Sequence, residues 1–103
     1  MRPISIVVEE LIFRFKMKRV AKVDGYNEFK LVKQQGNNLI VTREKGKETE
    51  IPKSRISKAI EFVRKDPTIY DRGPGALHGT GVTHITSPVW TILHLMTLEE
   101  LLS

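Results

Sequence analysis

The segment from Asp71 to Pro88, which reads DRGPGALHGTGVTHITSP, restricts the fold of this 103-residue chain more than any other. It contains four of the seven glycines, two of the five prolines and two of the three histidines. Glycine weakens helices and strands and proline interrupts them, so we expect no long regular element here. We predict a glycine-rich loop at residues 71–88, which joins a basic unit at residues 1–66 to an apolar helical tail at residues 88–103.

The length and composition predict a single domain over residues 1–103, either complete in itself or a fragment of a larger protein. Hydrophobic residues make up 40% of the chain and charged residues 28%, as in ordinary globular proteins. The chain has no cysteine, which excludes disulfides, zinc–thiolate sites and cysteine nucleophiles. We predict no cofactor.

The N-terminal sequence argues against export and membrane insertion. A short apolar run from Ile4 to Val8 ends at Glu9 and Glu10, so the hydrophobic region of a signal peptide does not develop. No segment approaches the roughly 18 apolar residues that a membrane span requires. We therefore expect a soluble, cytoplasmic protein with no membrane partner.

Alternating apolar and basic residues predict a strand at residues 11–18, which read LIFRFKMK. In a strand, one face would carry Phe13, Phe15 and Met17, and the opposite face Arg14, Lys16 and Lys18. A competing helical pattern places four residues on one stripe: Ile4, Val8, Leu11 and Phe15. We prefer the strand for residues 11–18 and leave residues 4–10 undecided.

Three more segments predict strands, at residues 27–33, 39–43 and 48–51, with turn residues between the first two. The last segment is short and charged, which suits an edge strand. With residues 11–23 they make about four antiparallel strands. The predicted fold class is α+β, with a three- to five-stranded antiparallel sheet or a small partly open barrel.

Residues 52–65 predict a basic amphipathic helix, with Pro52 in its first turn and Asp66-Pro67 at its end. Its apolar stripe consists of Ile56, Ala59, Ile60 and Val63. Phe62 lies on the basic side, where it could stack on a base or pack under the stems of neighbouring lysines. We favour packing under the stems.

Ser87-Pro88 predicts the start of another helix, whose residues VWTILHLM are apolar on nearly every side. Such a helix belongs in a large core, and a small chain offers little room for one. We therefore predict that one stripe binds a second copy or the remainder of a larger chain. The predicted interface residues are Trp90, Leu93, Met96, Leu98 and Leu102, with Leu95, Leu98 and Leu102 as the alternative stripe. Residues 97–100, TLEE, form a capping-box pattern, which predicts a new helix from Thr97.

The charges are unevenly distributed along the chain. Residues 1–66 hold sixteen of the 17 Lys and Arg residues against nine acids, whereas residues 67–103 hold one against three. A basic face of this kind most often binds nucleic acid. No signature of base recognition is present, so we predict phosphate-backbone binding, more to duplex DNA than to other forms. The predicted contacts are Arg14, Lys16, Lys18, Arg19, Lys22, Lys53, Arg55, Lys58 and Arg72.

The histidines form two HxT tripeptides, His78-Gly79-Thr80 and His84-Ile85-Thr86. Such pairs resemble the signature of the 2H phosphoesterases, in which two histidines act as general base and general acid. In that family the two motifs come from distant parts of a duplicated fold, whereas here they lie six residues apart. The resemblance implies a phosphoesterase or nuclease that uses His78 and His84.

Other chemistry has weaker support in the sequence. His78, His84 and Asp71 are suitable metal ligands by type, but their spacing matches no established pattern, and we predict no metal. The glycines do not form a nucleotide-binding motif. We therefore rank nucleic-acid binding first, a protein-interaction or oligomerisation module second and phosphoester cleavage third, and we favour a protein that is not an enzyme.

Overall fold

The computed structural model of the chain describes residues 1–43, 46–82 and 84–103. Within these residues the fold is mixed α+β, as predicted, with a four-stranded antiparallel sheet and five α-helices. In chain order the elements are α1 (Ile4–Lys18), β1 (Val20–Ala21), β2 (Phe29–Gln35), β3 (Asn38–Thr42), β4 (Glu48–Pro52), α2 (Lys53–Lys65), α3 (Ile69–Arg72), a 3-10 helix (Pro74–Leu77), α4 (Thr86–Leu93) and α5 (Leu98–Leu102).

The strand predicted at residues 11–18 is wrong, because these residues form the second half of α1. The helix buries five apolar side chains along one stripe: Val7, Val8, Leu11, Ile12 and Phe15. A strand would have turned Phe13, Phe15 and Met17 inward, and two of those three are exposed. Each buried side chain of this size stabilises the fold by about 1.5–3 kcal/mol, so the helical stripe wins. The helix ends at Arg19, whose left-handed φ of 68° turns the chain into β1.

The sheet has the strand order β1-β2-β3-β4 and is open, so the barrel alternative is wrong. The predicted strands at residues 27–33, 39–43 and 48–51 occur within two residues of those limits, and β4 lies at the edge as expected. The first strand has only two residues, in place of residues 11–23. One face of the sheet packs on the core through Ala21, Phe29, Leu31, Leu39, Val41 and Ile51.

Helix α2 confirms the helix predicted at residues 52–65, but Pro52 is not in its first turn, because it ends β4 and serves as the N-cap. Its predicted apolar stripe is fully buried. Phe62 is half-buried on the basic side, and the ammonium groups of Lys58 and Lys65 lie 5.9 and 5.7 Å from its ring centre. The ring therefore packs under lysine stems and adds weak cation–π contacts.

The apolar tail at residues 88–103 folds into the chain's own core. Every residue from Pro88 to Leu93 is buried, on all sides of the short helix α4. Trp90, Leu93 and Met96 are therefore not available to a partner in this structure, and Leu98 and Leu102 are half-buried. The indole Nε1 of Trp90 donates to the carbonyl oxygen of Ile69 at 2.9 Å. Our premise that the small chain lacks room for such a helix is wrong, because α1, α2 and the 3-10 helix surround it.

Helix α5 begins with the predicted capping box. The Thr97 hydroxyl accepts from the Glu100 backbone N–H, and the Glu100 carboxylate accepts from the Thr97 N–H at 2.9 Å. The tail thus contains two short helices, and the second begins after Thr97 as predicted. No helix in the described part of the chain is both long and apolar enough to cross a membrane.

A network of ion pairs joins the two ends of the chain. Arg14 binds the carboxylates of Glu10 and Glu100, and Arg2 binds Glu10 at 2.6 Å and the Glu100 carbonyl oxygen at 2.8 Å. The Arg14 guanidinium, with the Thr97 backbone N–H, lowers the pKa of the Glu100 carboxyl from its ordinary 4.5 to about 2. The hydrogen bond from Arg2 likewise lowers the pKa of Glu10.

We predict that the Glu100 carboxylate stabilises the fold fully above about pH 4.5 and that this contribution is lost as the pH falls towards 2. Glu100→Gln keeps the capping acceptor but removes the charge. It should lower the free energy of unfolding by about 0.5–1 kcal/mol at pH 7 and have almost no effect near pH 2. Urea unfolding at several pH values measures this.

Glu99→Gln is the matched control, because Glu99 is the exposed neighbour on the same helix. An equal effect of both substitutions at every pH would contradict the network's role.

Candidate functional site

The predicted row of cations along one strand face does not exist, because Arg14, Lys16 and Lys18 lie on a helix. Residues two apart on a helix are related by a rotation of about 200° around the helix axis, so these side chains do not form one row on α1. Arg14 faces the C-terminal helix and also donates to the carbonyl oxygen of Leu95 at 3.1 Å. The row was predicted from a strand period that the fold does not adopt.

Three of the nine predicted nucleic-acid contacts form ion pairs with carboxylates of the chain. These are Arg14 with Glu10 and Glu100, Lys53 with Glu9, and Arg72 with Asp66. A cation that is already paired attracts phosphate less strongly. The other six remain exposed, and their contact with nucleic acid stays a prediction: Lys16, Lys18, Arg19, Lys22, Arg55 and Lys58.

A cleft of about 370 Å³ opens between the end of the sheet and the glycine-rich segment. Both histidines of the HxT tripeptides line it, which brings the two candidate catalytic residues together. The sheet contributes Phe29, Arg43 and Thr49, and the glycine-rich segment with the start of α4 contributes His78, His84, Thr86, Ser87 and Pro88.

The alternation of β3 explains why Arg43 lines this cleft. Leu39 and Val41 face the core, and residues two apart on a strand share a face, so Arg43 continues the inward side just past the strand's end. Thr49 is the register partner of Val41 on β4, which places it on the same side. The core-facing side of the sheet thus becomes polar where the core ends.

Buried anchors hold the glycine-rich segment beside the sheet. Leu77 and Val82 are fully buried, whereas His78 between them is exposed. Gly73 adopts a φ of 92° and lies against the Tyr26 hydroxyl, where an added Cβ would come within 2.9 Å of that oxygen. The stem of Lys58 packs over Gly81. The predicted loop therefore contains part of α3 and the 3-10 helix, and it is fixed by contacts on both sides.

His84 adopts a left-handed φ of 80°, which is uncommon for any residue with a Cβ. Such a conformation costs about 1 kcal/mol or more and is typically found where function requires the side chain in one place. In this structure the residue with the positive φ is one whose imidazole lines the cleft. The helix predicted to start at Ser87-Pro88 begins at Thr86 instead, so Ser87 lies within its first turn, and no side chain caps it.

His94 belongs to a different environment. Its ring stacks on Tyr70 at 3.9 Å between centres and lies 4.3 Å from the Trp90 ring. Its Nδ1 is 3.0 Å from the Trp90 carbonyl oxygen, which can only accept, so this nitrogen carries the proton. His94 is therefore a packed and hydrogen-bonded residue.

The chemistry of the cleft favours an anion. It presents a guanidinium, two imidazoles and the hydroxyls of Thr49, Thr86 and Ser87, and no carboxylate is among its described lining residues. The first turn of α4 lies at the same place, and the free N–H groups of a helix start add to a positive potential. Together these groups can donate several hydrogen bonds to phosphate oxygens.

The sequence analysis missed Arg43, Thr49, Thr86 and Ser87 as site residues. The inward alternation of β3 was the available signal for Arg43. The three potential metal ligands His78, His84 and Asp71 do not form a metal site, because no three such ligands converge among the described residues.

Comparison of the chain with models of protein families, with curated proteins and with solved structures found no match. Its function has to be inferred from the geometry of the cleft.

We predict that His84→Gly raises the free energy of unfolding by about 0.5 kcal/mol, because glycine adopts a positive φ without steric cost. His78→Gly is the matched control, since His78 has an ordinary φ of −64° and glycine there only adds chain entropy. It should lower the free energy of unfolding by about 0.5–1 kcal/mol. Chemical denaturation measures both, and equal losses would show that His84 is not strained.

Proposed function

We propose that this protein binds nucleic acid through its phosphodiester backbone and that the cleft holds a phosphate group. The observation that carries this proposal is the convergence of Arg43, His78 and His84 with three hydroxyls in one cleft. Guanidinium and hydroxyl donors are well suited to phosphate oxygens.

The surrounding charge supports a polyanion over a small anion. Residues 1–66 carry a net charge of +7, and six of the predicted contact cations are exposed. The stem of Lys58 packs on Gly81 of the glycine-rich segment, and Arg55 lies one turn away on α2. A backbone that passes the cleft can therefore meet further cations.

The lining of the cleft supports duplex DNA over a single strand. Proteins that bind single strands present exposed rings on which bases stack. Among the described lining residues Phe29 is the only Phe, Tyr or Trp, and it is fully buried, whereas the exposed rings of Phe13 and Tyr26 do not line the cleft. Binding through phosphates alone suits a duplex, whose bases remain paired.

The test is fluorescence anisotropy with duplex DNA, single-stranded DNA and RNA between about 50 and 200 mM salt. With about four phosphate contacts, affinity for the duplex should fall about 100-fold across this range. Arg43→Gln should weaken binding about tenfold and reduce the salt slope by about one.

Lys33→Gln is the control. Lys33 is an exposed cation like Arg43, but it lies on β2 opposite Ile40, outside the cleft. It should change affinity less than about twofold. Absence of binding at low salt, or equal effects of the two substitutions, would remove the proposal.

The convergence of His78 and His84 favours phosphodiester cleavage as a second candidate function. One imidazole would take a proton from the attacking hydroxyl, the other would protonate the leaving oxygen, and Arg43 would stabilise the charge on phosphorus oxygens.

For this candidate we predict that His78→Ala and His84→Ala each reduce cleavage of a phosphodiester panel by about 100-fold or more, with binding largely retained. The wild-type rate should show a bell-shaped pH profile. Lys33→Gln again serves as the control. Cleavage that survives both histidine substitutions would assign the activity elsewhere.

A further inference from the structure

An apolar stripe on the outer side of α1 has no covering element among the described residues. Ile6, Phe13 and Met17 are 54, 61 and 71% exposed. On a helix of 3.6 residues per turn they lie within about 40° of one another, opposite the stripe that packs on the core. Three large apolar side chains in a row on a small protein mark an interaction surface.

Charged residues border this stripe on both sides, acidic towards the N-terminus of α1 and basic towards its C-terminus. One border carries Glu9 and then Lys16, and the other carries Glu10 and then Arg14. Glu10 and Arg14 are already paired inside the chain, so the Glu9–Lys16 border is the one that presents a change of sign along the helix. Such a surface is complementary to itself when it is reversed.

We propose that this stripe binds the same stripe of a second copy of the chain, with the two α1 helices antiparallel about a two-fold axis. This arrangement places Glu9 beside Lys16 of the other copy and Ile6 beside its Met17. The midpoints of these two pairs fall within one residue along the helix, about 1.5 Å. Phe13 lies next to that point and packs on its own counterpart.

The parallel arrangement is excluded by charge. A two-fold axis along the helices would bring Glu9 beside Glu10 of the other copy, and Lys16 beside Arg14. Like charges at an interface cost free energy and misdirect docking. The antiparallel pair instead forms an isologous contact in which every interaction occurs twice.

The test is sedimentation equilibrium of the full chain over a wide concentration range. We expect a reversible dimer. Phe13→Ser removes the residue at the axis and should raise the dissociation constant at least about 30-fold. Val32→Ser is the matched control, because Val32 is an exposed apolar residue on β2, and it should change the constant less than about twofold.

A charge exchange makes the test specific to the antiparallel pair. Lys16→Glu and Glu9→Lys should each weaken the homodimer on the order of tenfold, and an equal mixture should recover the wild-type affinity as a heterodimer. Glu9 also binds Lys53 at 2.8 Å, so circular dichroism must show that Glu9→Lys keeps its fold.

Three results would overturn the proposal. These are a wild-type chain that stays monomeric at its highest soluble concentration, a dimer that Phe13→Ser leaves intact, and a mixture that does not recover affinity. Co-sedimentation of a monomeric chain with anionic phospholipid vesicles would assign the stripe to a membrane surface instead.

Discussion

Burial of the C-terminal apolar segment inside the chain's own core is the interaction on which the rest of the structure depends. Helix α4 occupies the space bounded by α1, α2 and the 3-10 helix, and all of its residues from Pro88 to Leu93 are covered. The hydrogen bond from Trp90 to the Ile69 carbonyl oxygen fixes the helix against the segment that precedes the glycines. The Arg14–Glu100 pair then holds the following helix to α1. In this way the two ends of the chain close around one core.

The same burial positions the candidate site. Because α4 is fixed along its length, its first turn is held at the end of the sheet, and Thr86 and Ser87 line the same cleft as Arg43. The glycine-rich segment has both ends anchored, so His78 and His84 are presented at a defined edge and not on a free loop. The cleft collects one guanidinium, two imidazoles and three hydroxyls, which are groups that can donate hydrogen bonds to phosphate oxygens. The exposed cations of residues 1–66 support our proposal that the ligand is a polyanion.

Local patterns were sufficient for some of the structure and not for the rest. The stripe of α2, the strands β2 to β4 and the capping box at Thr97 follow from periodicity and turn chemistry, which act over a few residues. Residues 11–18 fit a strand and a helix equally well, and contacts with distant elements decided between them. The Arg14–Glu100 pair spans 86 residues, so no local pattern could show that Arg14 is paired. We predicted an interface at Trp90, Leu93 and Met96 because we underestimated how completely the rest of the chain can cover a short helix. The inward position of Arg43 was predictable from the alternation of β3. Its position in the same cleft as the histidines was not, because that depends on how the glycine-rich segment folds back.

We propose that a phosphate group of a nucleic acid binds in the cleft formed by the sheet end, the histidines and the start of α4. The most direct measurement is a two-dimensional NMR titration of the isotope-labelled chain with a short DNA duplex at low salt, followed through backbone amide and imidazole resonances. We predict the largest shifts at Arg43, His78, His84 and Ser87, with smaller shifts at exposed cations such as Lys58. Shifts confined to α1 or to the outer face of the sheet, with the cleft resonances unchanged at saturation, would contradict it.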